Sequence, residues 1–231
     1  MGKLYKMTIL EEYKNLPSDI QVIDDFCPEV LLDILTQKIN QFDWPWYYLQ
    51  DTTYRIKYND ENKATWDEGF STLLYVKAEK DDQGNTTGDV YKFKSPFFDV
   101  VFPILSHCEF ITGMKVDKLK RVKVNLNTTS ISNEPFEPHI DIPKYDVTTG
   151  LLYLNDSDGP TVIYDVKCPD EITDAVEALE YYRNNKDNMK VLAEIAPKKN
   201  RFILFNGRYF HSGSRPINHK SRFNLNINWE N

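Results

Sequence analysis

From Arg222 to Trp229 the sequence RFNLNINW alternates without a break. Arg222, Asn224, Asn226 and Asn228 fall at one parity, and Phe223, Leu225, Ile227 and Trp229 at the other. A period of two belongs to a β-strand, whose successive side chains point to opposite faces. The apolar parity has to be covered by a hydrophobic layer. The polar parity constrains the fold more, because a guanidinium and a row of amides inside a small barrel are costly unless each group has a partner. A fold that accepts this strand has an apolar layer on one side of it and a polar, occupied interior on the other.

The same period runs back to Leu119. Val122 and Val124 alternate with polar residues, and Leu151 and Tyr153 follow in GLLYL. Further short strands are expected at Thr161 to Tyr164, Val191 to Ile195, Arg201 to Phe205 and Phe223 to Trp229. Asn-Asp, Asp-Gly, Asn-Gly and Pro-Lys-Lys-Asn punctuate them. Many short strands separated by turns specify a mainly β fold with flanking helices (α+β), built on a double-stranded β-helix, the jelly roll of cupin-like proteins.

Before Leu119 the signals are helical. Pro28 suits a first helical turn, and Val30, Leu31, Ile34, Leu35 and Ile39 recur with helical spacing. A second helix is expected from Ser95-Pro96, with Phe97, Phe98, Val101, Ile104, Leu105 and Cys108 as its apolar stripe and Pro103 bending it. Between the two lie Trp44 to Tyr48 (WPWYY), the apolar run Ser71 to Val76, and a polar turn or loop from Glu79 to Gly88. The aromatic run reads as core, with packing over an extended peptide as the alternative. In PDEITDAVEALEYYRNN, Ala175, Leu179 and Tyr182 have helical spacing. A helix over 170–188 is therefore expected between two barrel strands, either capping the barrel or facing substrate. No internal repeat or linker divides the 231 residues. One domain is expected, with 1–118 supplying supporting helices and strands and 119–231 the core barrel.

Charge and cysteine content exclude several classes. A net charge of −7 opposes a phosphate-tracking surface, so nucleic acid is not an expected partner. Lys115, Lys118, Lys120, Arg121 and Lys123 form the main basic cluster and, with Asp117 inside it, read as solvated strand ends and loops. Cys27, Cys108 and Cys168 are scattered and odd in number. They make neither a disulfide framework nor a structural zinc pattern, which suits a reducing cytosol. No apolar run is long enough to cross a bilayer. The opening MGKLYKMTILEEYKN has no signal-peptide core, and the Ser or Thr of a myristoylation signal is missing after Met1-Gly2. A cytoplasmic protein without a membrane partner is the expectation, and the oligomeric state is left open.

The chemistry-bearing residues lie in the C-terminal half. His139-Ile140-Asp141 sets an imidazole and a carboxylate two apart, on one side of a strand, where both can grip one ion. His211, from another barrel strand, would complete a two-histidine, one-carboxylate facial triad with positions open for cosubstrate and oxygen. Of the other two histidines, His107 lies on the second expected helix as a hydrogen-bonded, partly buried residue, and His219 in INHKS is expected to be exposed. Asp146 and Asp156 lack the two-residue offset from a histidine. The guanidinium fork of Arg222 can hold a carboxylate through two parallel hydrogen bonds. An entering dicarboxylate would give the polar row a partner; the alternative is a protein acid at the barrel rim.

Taken in order, HID (139–141), TTGLLYLNDSDGPTVIYD (148–165), NRFILFNGRYFHSGSRP (200–216) and RFNLNINW (222–229) resemble the iron- and 2-oxoglutarate-dependent dioxygenase superfamily. The closer likeness is to its prolyl-4-hydroxylase-like branch, including small virus-encoded members, for which the host cytoplasm is the implied location. The resemblance covers roughly Leu119 to Trp229, and more loosely the VIDDF region.

It implies that His139, Asp141 and His211 bind Fe(II) and carry catalysis. Arg222 would hold the distal carboxylate of 2-oxoglutarate, with Tyr153 donating its hydroxyl to the same group. Thr161 would line that barrel end, and Asn127 or Asn125 would occupy a further cosubstrate-facing position. Dioxygen is the implied second cosubstrate and ascorbate a candidate reductant. The implied reaction hydroxylates a C–H bond and releases succinate and CO2. Halogenating relatives replace the carboxylate with a small residue, so Asp141 favours hydroxylation. A prolyl residue in a peptide or protein leads as substrate, with a free amino acid or other small molecule as the alternative. The competing class is a non-enzymatic cupin-like protein that binds a metal or ligand, which would have no need of Arg222 and Tyr153. Two features depart from the family pattern: Gly159-Pro160-Thr161 stands where many relatives have Gly-Gly before the threonine, and the helix over 170–188 exceeds the usual connection.

Overall fold

The computed structural model describes residues 10–50, 53, 67–80 and 89–231. In chain order its elements are β1 (Ile20–Ile23), α1 (Glu29–Ile39), β2 (Tyr47–Leu49), β3 (Gly69–Lys80), β4 (Asp89–Lys94), α2 (Phe102–Thr112), β5 (Leu119–Thr128), β6 (Val147–Tyr153), β7 (Thr161–Lys167), α3 (Ala175–Asn185), β8 (Val191–Ile195), β9 (Phe202–Asn206), β10 (Tyr209–Gly213) and β11 (Ser221–Glu230). The strands form a large sheet of order β1-β9-β6-β11-β5-β3-β2, with β4 on β3, and a small sheet of order β10-β7-β8. Every pairing within the two sheets is antiparallel. The result is the expected double-stranded β-helix. Strands from both parts of the chain build it, since β1 pairs with β9 and β3 with β5.

The pleat of the large sheet separates two environments. One parity of its central strands supplies Val122, Val124, Leu152, Leu154, Phe202, Leu204, Leu225, Ile227 and Trp229 to the main core, together with residues of α1 and α2. A Cβ on Gly150 of β6 would come within 2.9 Å of the Phe202 and Trp229 rings, so the absent side chain lets them meet over the strand. The opposite parity faces the small sheet. Its character changes across the sheet, from Ile20, Val22, Leu151, Tyr153, Ile203 and Phe205 near the β1 side to charged and amide side chains on β5 and β11. The first group packs with Ile163, Ala193 and Ile195 of the small sheet and closes one end of the barrel.

The helices differ from their expected form in ways that packing explains. In α1, Leu32, Leu35 and Ile39 are buried, at roughly 2 kcal/mol of favourable burial each. Val30 and Ile34, also part of the expected stripe, stand on the solvent side. Pro28 is the residue that precedes the helix. The second helix does not run from Ser95. A 3-10 turn at Phe98–Val100 comes first, and α2 begins at Phe102 with Pro103 in its first turn, so Pro103 starts the helix instead of bending it. Its inward residues Val101, Ile104, Leu105 and Cys108 are buried as their spacing predicts. The run Ser71 to Val76 is the middle of β3, which continues through Glu79 and Lys80; residues 81–88 of the expected loop lie outside the described residues. In WPWYY, Trp44 is core and Trp46 packs against it, while Tyr47 and Tyr48 are exposed on β2. Cys27, Cys108 and Cys168 are buried and unbonded, and burial pushes the Cys27 thiol up to about 12.

The helix expected over 170–188 is shorter. Asp174 caps α3 by accepting from the amides of Val176 and Glu177, and a 3-10 turn, Lys186–Asn188, follows it. Phe210 packs with Ala178 and stacks on Tyr181 at 6.1 Å between ring centroids. Since Phe210 and His211 are neighbours on β10, α3 covers the outer face of the small sheet while His211 points into the barrel. Buried Arg208 ties this region together by donating to the carbonyls of Pro143, Cys168, Pro169 and Ile172. Among the described residues, no helix is long and apolar enough to cross a membrane.

Candidate metal centre

β5 and β11 meet with their polar parities in register. Arg222 pairs with Asn127, Asn224 with Asn125, Asn226 with Lys123, and Asn228 with Arg121. Residues directly opposite on adjacent strands share a face, so eight polar side chains line one wall of the barrel. Arg222, Asn224, Asn226 and Asn228 are all buried. The expectation of a polar interior behind RFNLNINW is borne out, and β5 doubles it.

His139 and Asp141 sit on the opposite wall, though not in a regular strand. His139 makes an isolated antiparallel bridge to His211 on β10, with both backbone N–H groups donating across it at 2.9 and 3.0 Å. Asp141 follows in a bend. The two-residue offset therefore works through one bridge residue and a bend, and His211 is the direct neighbour of His139. Ligand atoms of His139, Asp141 and His211 all lie within 4.8 Å of one another, and His211 Nε2 is 3.9 Å from Asp141 Oδ2. No other such group of histidine, cysteine and carboxylate residues forms among the described residues. His107 instead bonds the Phe26 carbonyl at 2.8 Å, and His219 pairs with Asp158 at the surface.

The protonation states suit a divalent cation. His211 Nδ1 lies 3.0 Å from the Tyr209 carbonyl. A carbonyl only accepts, so Nδ1 carries the hydrogen and Nε2 presents its lone pair to the cluster. Burial lowers the pKa of His211, against the pull of Asp141. Burial and the charge of His211 push His139 down to about 3. Burial alone would raise the Asp141 carboxyl; the charges of Arg121 and Lys123 oppose it, and the group is held well below the usual carboxylate range. Two neutral imidazoles and one carboxylate are the forms that bind a metal without first losing a proton.

Asp141 is held from several sides. Oδ1 accepts from Arg121 Nη2 at 2.6 Å. Oδ2 accepts from Thr149 Oγ1, Asn226 Nδ2 and Asn228 Nδ2 at 3.2, 3.0 and 2.9 Å. Arg121 is itself oriented by Asn228 Oδ1 at 3.0 Å. Sequence reasoning missed Arg121 and Lys123 by taking the basic cluster as solvated. Lys120 departs from that reading as well, being buried beside Glu230 at 2.9 Å. Arg121, Lys123, Asn125 and Asn127 alternate as regularly as the row on β11, but only the pairing of the two strands shows that this parity faces inward.

The remaining expected site residues gather at the far end of the same chamber, which His139, Asp141, His211, Asn125, Asn127, Thr161 and Arg222 all line. Arg222 Nη2 donates to Thr161 Oγ1 at 2.7 Å, and Nη1 lies 3.4 Å from Asn127 Oδ1. Its Nε is buried without a hydrogen-bond partner, and no carboxylate of the described residues pairs with it, so the rim acid considered as an alternative is not seen. Gly213 makes room for it, since a Cβ there would lie 3.3 Å from Arg222 Nη1. Tyr153 is not a lining residue. Burial raises its pKa, and its hydroxyl donates to Thr161 Oγ1 at 2.6 Å, so it reaches the chamber through Thr161. Gly159, of the departing Gly-Pro-Thr segment, leaves no space for a side chain: a Cβ would sit 2.4 Å from the Ser214 carbonyl oxygen.

The fold recurs in solved proteins. The chain matches a non-heme alpha-ketoglutarate-dependent epimerase from nogalamycin biosynthesis over 92% of its own length and 78% of that chain, with a TM-score of 0.56 and 11% identity. The fold is that of the 2-oxoglutarate-dependent oxygenases. A 2OG-Fe(II) oxygenase family protein from Burkholderia pseudomallei matches over 92% of this chain and 85% of that one, with a TM-score of 0.54 and 11% identity. A prolyl-4-hydroxylase from Pseudomonas putida matches over 92% and 93%, with a TM-score of 0.52 and 11% identity. The epimerase has also been solved with Fe3+, alpha-ketoglutarate and a nogalamycin compound. No family model and no curated protein matches the sequence.

Proposed function

We propose that this protein is an Fe(II)- and 2-oxoglutarate-dependent dioxygenase that hydroxylates an unactivated C–H bond. The observation that carries the proposal is Arg222, a buried guanidinium with an unpartnered Nε and no pairing carboxylate among the described residues, in the same chamber as the His139, Asp141 and His211 cluster. A buried charge without a counter-ion is strongly unfavourable. The distal carboxylate of a keto acid chelated at the metal supplies one. A structural metal site gives no reason for such an arginine, which is why the cupin-like binding protein is the weaker reading.

The residues have distinct parts in this account. His139, Asp141 and His211 hold Fe(II), and Arg121, Thr149, Asn226 and Asn228 fix the Asp141 carboxylate that would bind it. Arg222 takes the distal carboxylate of 2-oxoglutarate, and Asn127 helps to set the guanidinium fork. Thr161 Oγ1 accepts from both Arg222 and Tyr153, so its own hydrogen is available to the same carboxylate. Iron held by these residues would let dioxygen oxidise the keto acid to succinate and CO2 and the substrate C–H bond to C–OH, one oxygen atom entering each product. A pyrrolidine ring is the first substrate group to test, as the family resemblance suggests, in a peptide or as the free amino acid.

Purified protein given Fe(II), 2-oxoglutarate and air is expected to form succinate in an iron-dependent reaction. Succinate formation indifferent to iron, or none under any substrate condition, would contradict the proposal.

A further inference from the structure

The amides on the inner face of β11 differ in how fully they are bonded. Asn228 is used at both ends: Nδ2 donates to Asp141 Oδ2 and Thr149 Oγ1, and Oδ1 accepts from Arg121 Nε. Asn224 Oδ1 accepts from Asn125 Nδ2. Asn226 is only half used. Its Nδ2 donates to Asp141 Oδ2 at 3.0 Å, while its Oδ1 is buried without a hydrogen-bond partner among the described residues. The residue as a whole is 3% exposed.

The orientation of this amide is set by chemistry. A carboxylate only accepts, so the nitrogen has to face Asp141 and the oxygen takes the other position. The same Asp141 Oδ2 lies 3.9 Å from His211 Nε2. The two terminal atoms of an amide share one carbon, so Oδ1 is held beside the metal cluster as well. Its neighbours across the sheet leave it unbonded: Leu151 on β6 is apolar, and Lys123 on β5 does not donate to it.

A buried acceptor without a donor is strongly unfavourable. Asn226 lines the chamber together with His139, Asp141 and His211, so the missing donor has to come from what that chamber holds. The 2-oxoglutarate dianion carries only acceptors, and dioxygen carries no hydrogen. Water on the metal is the donor that comes with the site itself. Three protein ligands leave coordination positions open, and a bound cation polarises water into a strong donor.

We infer that Asn226 Oδ1 accepts a hydrogen bond from a water molecule on the metal, so that Asn226 is a positioning residue that retains this water until substrate displaces it. The inference rests on the oxygenase reading and deepens it by giving one amide two tasks. Nδ2 sets the ligand Asp141, and Oδ1 holds the water whose departure opens the site. Such a hold keeps the chelated keto acid from being oxidised before substrate arrives.

The bound water can be followed without turnover. Protein loaded with Mn(II) in place of iron and saturated with 2-oxoglutarate is placed in water enriched in oxygen-17, and the exchange rate of metal-bound water is read from solvent relaxation. The wild type should show an exchanging water. Asn226→Val should speed its exchange by roughly two- to tenfold, the scale of one hydrogen bond. Asn226→Thr, whose hydroxyl can donate to Asp141 and accept from water, should restore most of the wild-type rate. Loss of the Asp141 contact alone would weaken metal affinity without changing the exchange rate at saturating metal. No exchanging water in the wild type, an unchanged rate in Asn226→Val, or a threonine variant as fast as the valine one would each overturn the inference. An unchanged rate would leave the substrate as the donor for Oδ1. Failure of the wild type to bind Mn(II) or 2-oxoglutarate at all would instead count against the oxygenase reading itself.

Discussion

Asp141→Ala is expected to destabilise the metal-free protein as well as remove its metal binding. The carboxylate accepts from Arg121, Thr149, Asn226 and Asn228, and the substitution leaves these donors facing a small cavity. Removing one partner of a buried ion pair costs about 3 kcal/mol or more. In a chain of this size that lowers the melting temperature by roughly 6–12 °C. Changing the outer partners of metal ligands typically costs roughly 10- to 100-fold in affinity. Loss of a ligand should exceed that range, and Arg121→Gln should fall within it. Thermal unfolding of the metal-free variants and metal titration of each check both halves. A melting temperature unchanged in Asp141→Ala would mean that the donors do not depend on this carboxylate. Metal affinity unchanged in the same variant would remove Asp141 from the site.

Arg222→Ala has the other large effect, and it falls on the cosubstrate. The guanidinium is buried at the inner end of the chamber, with Thr161 and Asn127 bonded to two of its nitrogens and Nε without a partner. Truncating one member of a buried, hydrogen-bonded charge pair costs about 2–5 kcal/mol, which is roughly 30- to 4,000-fold in a dissociation constant. The affinity for 2-oxoglutarate should fall by a factor in that range while metal affinity changes little. The metal-free protein should not be destabilised to a similar degree, because in the absence of ligand no carboxylate of the described residues pairs with the buried Arg222. A 2-oxoglutarate dissociation constant that does not move would exclude Arg222 as the anchor.

The sequence carried more of the site's inner end than of its metal face. Arg222 and the amides after it were legible because a strand shows its two faces as alternation, and β11 alternates without a break. His139 and Asp141 were legible from their offset, although the offset is realised by a bridge and a bend, not a strand. The second polar wall was misread for a physical reason. Arg121 and Lys123 belong to a cluster that includes Lys115 and Lys118, and nothing local tells a cation on a solvated end from one at an inward position. Only the pairing of β5 with β11, which matches Arg121 to Asn228 and Lys123 to Asn226, makes the distinction. The helices were blurred in a similar way. Val30 and Ile34 have helical spacing, but which apolar side of α1 is buried depends on the sheet beneath it. Pro103 could equally bend a helix or begin one, and the 3-10 turn before it decides.

The most direct test of the account is anaerobic addition of Fe(II) and then 2-oxoglutarate to metal-free protein, watching for the visible charge-transfer band of a chelated keto acid. The account predicts a band in the wild type that saturates with 2-oxoglutarate and is lost in His211→Ala, whose Nε2 faces Asp141 across the cluster. A folded protein that binds iron and yet forms no band with 2-oxoglutarate would contradict it, and would return the chain to the class of barrel-shaped binding proteins.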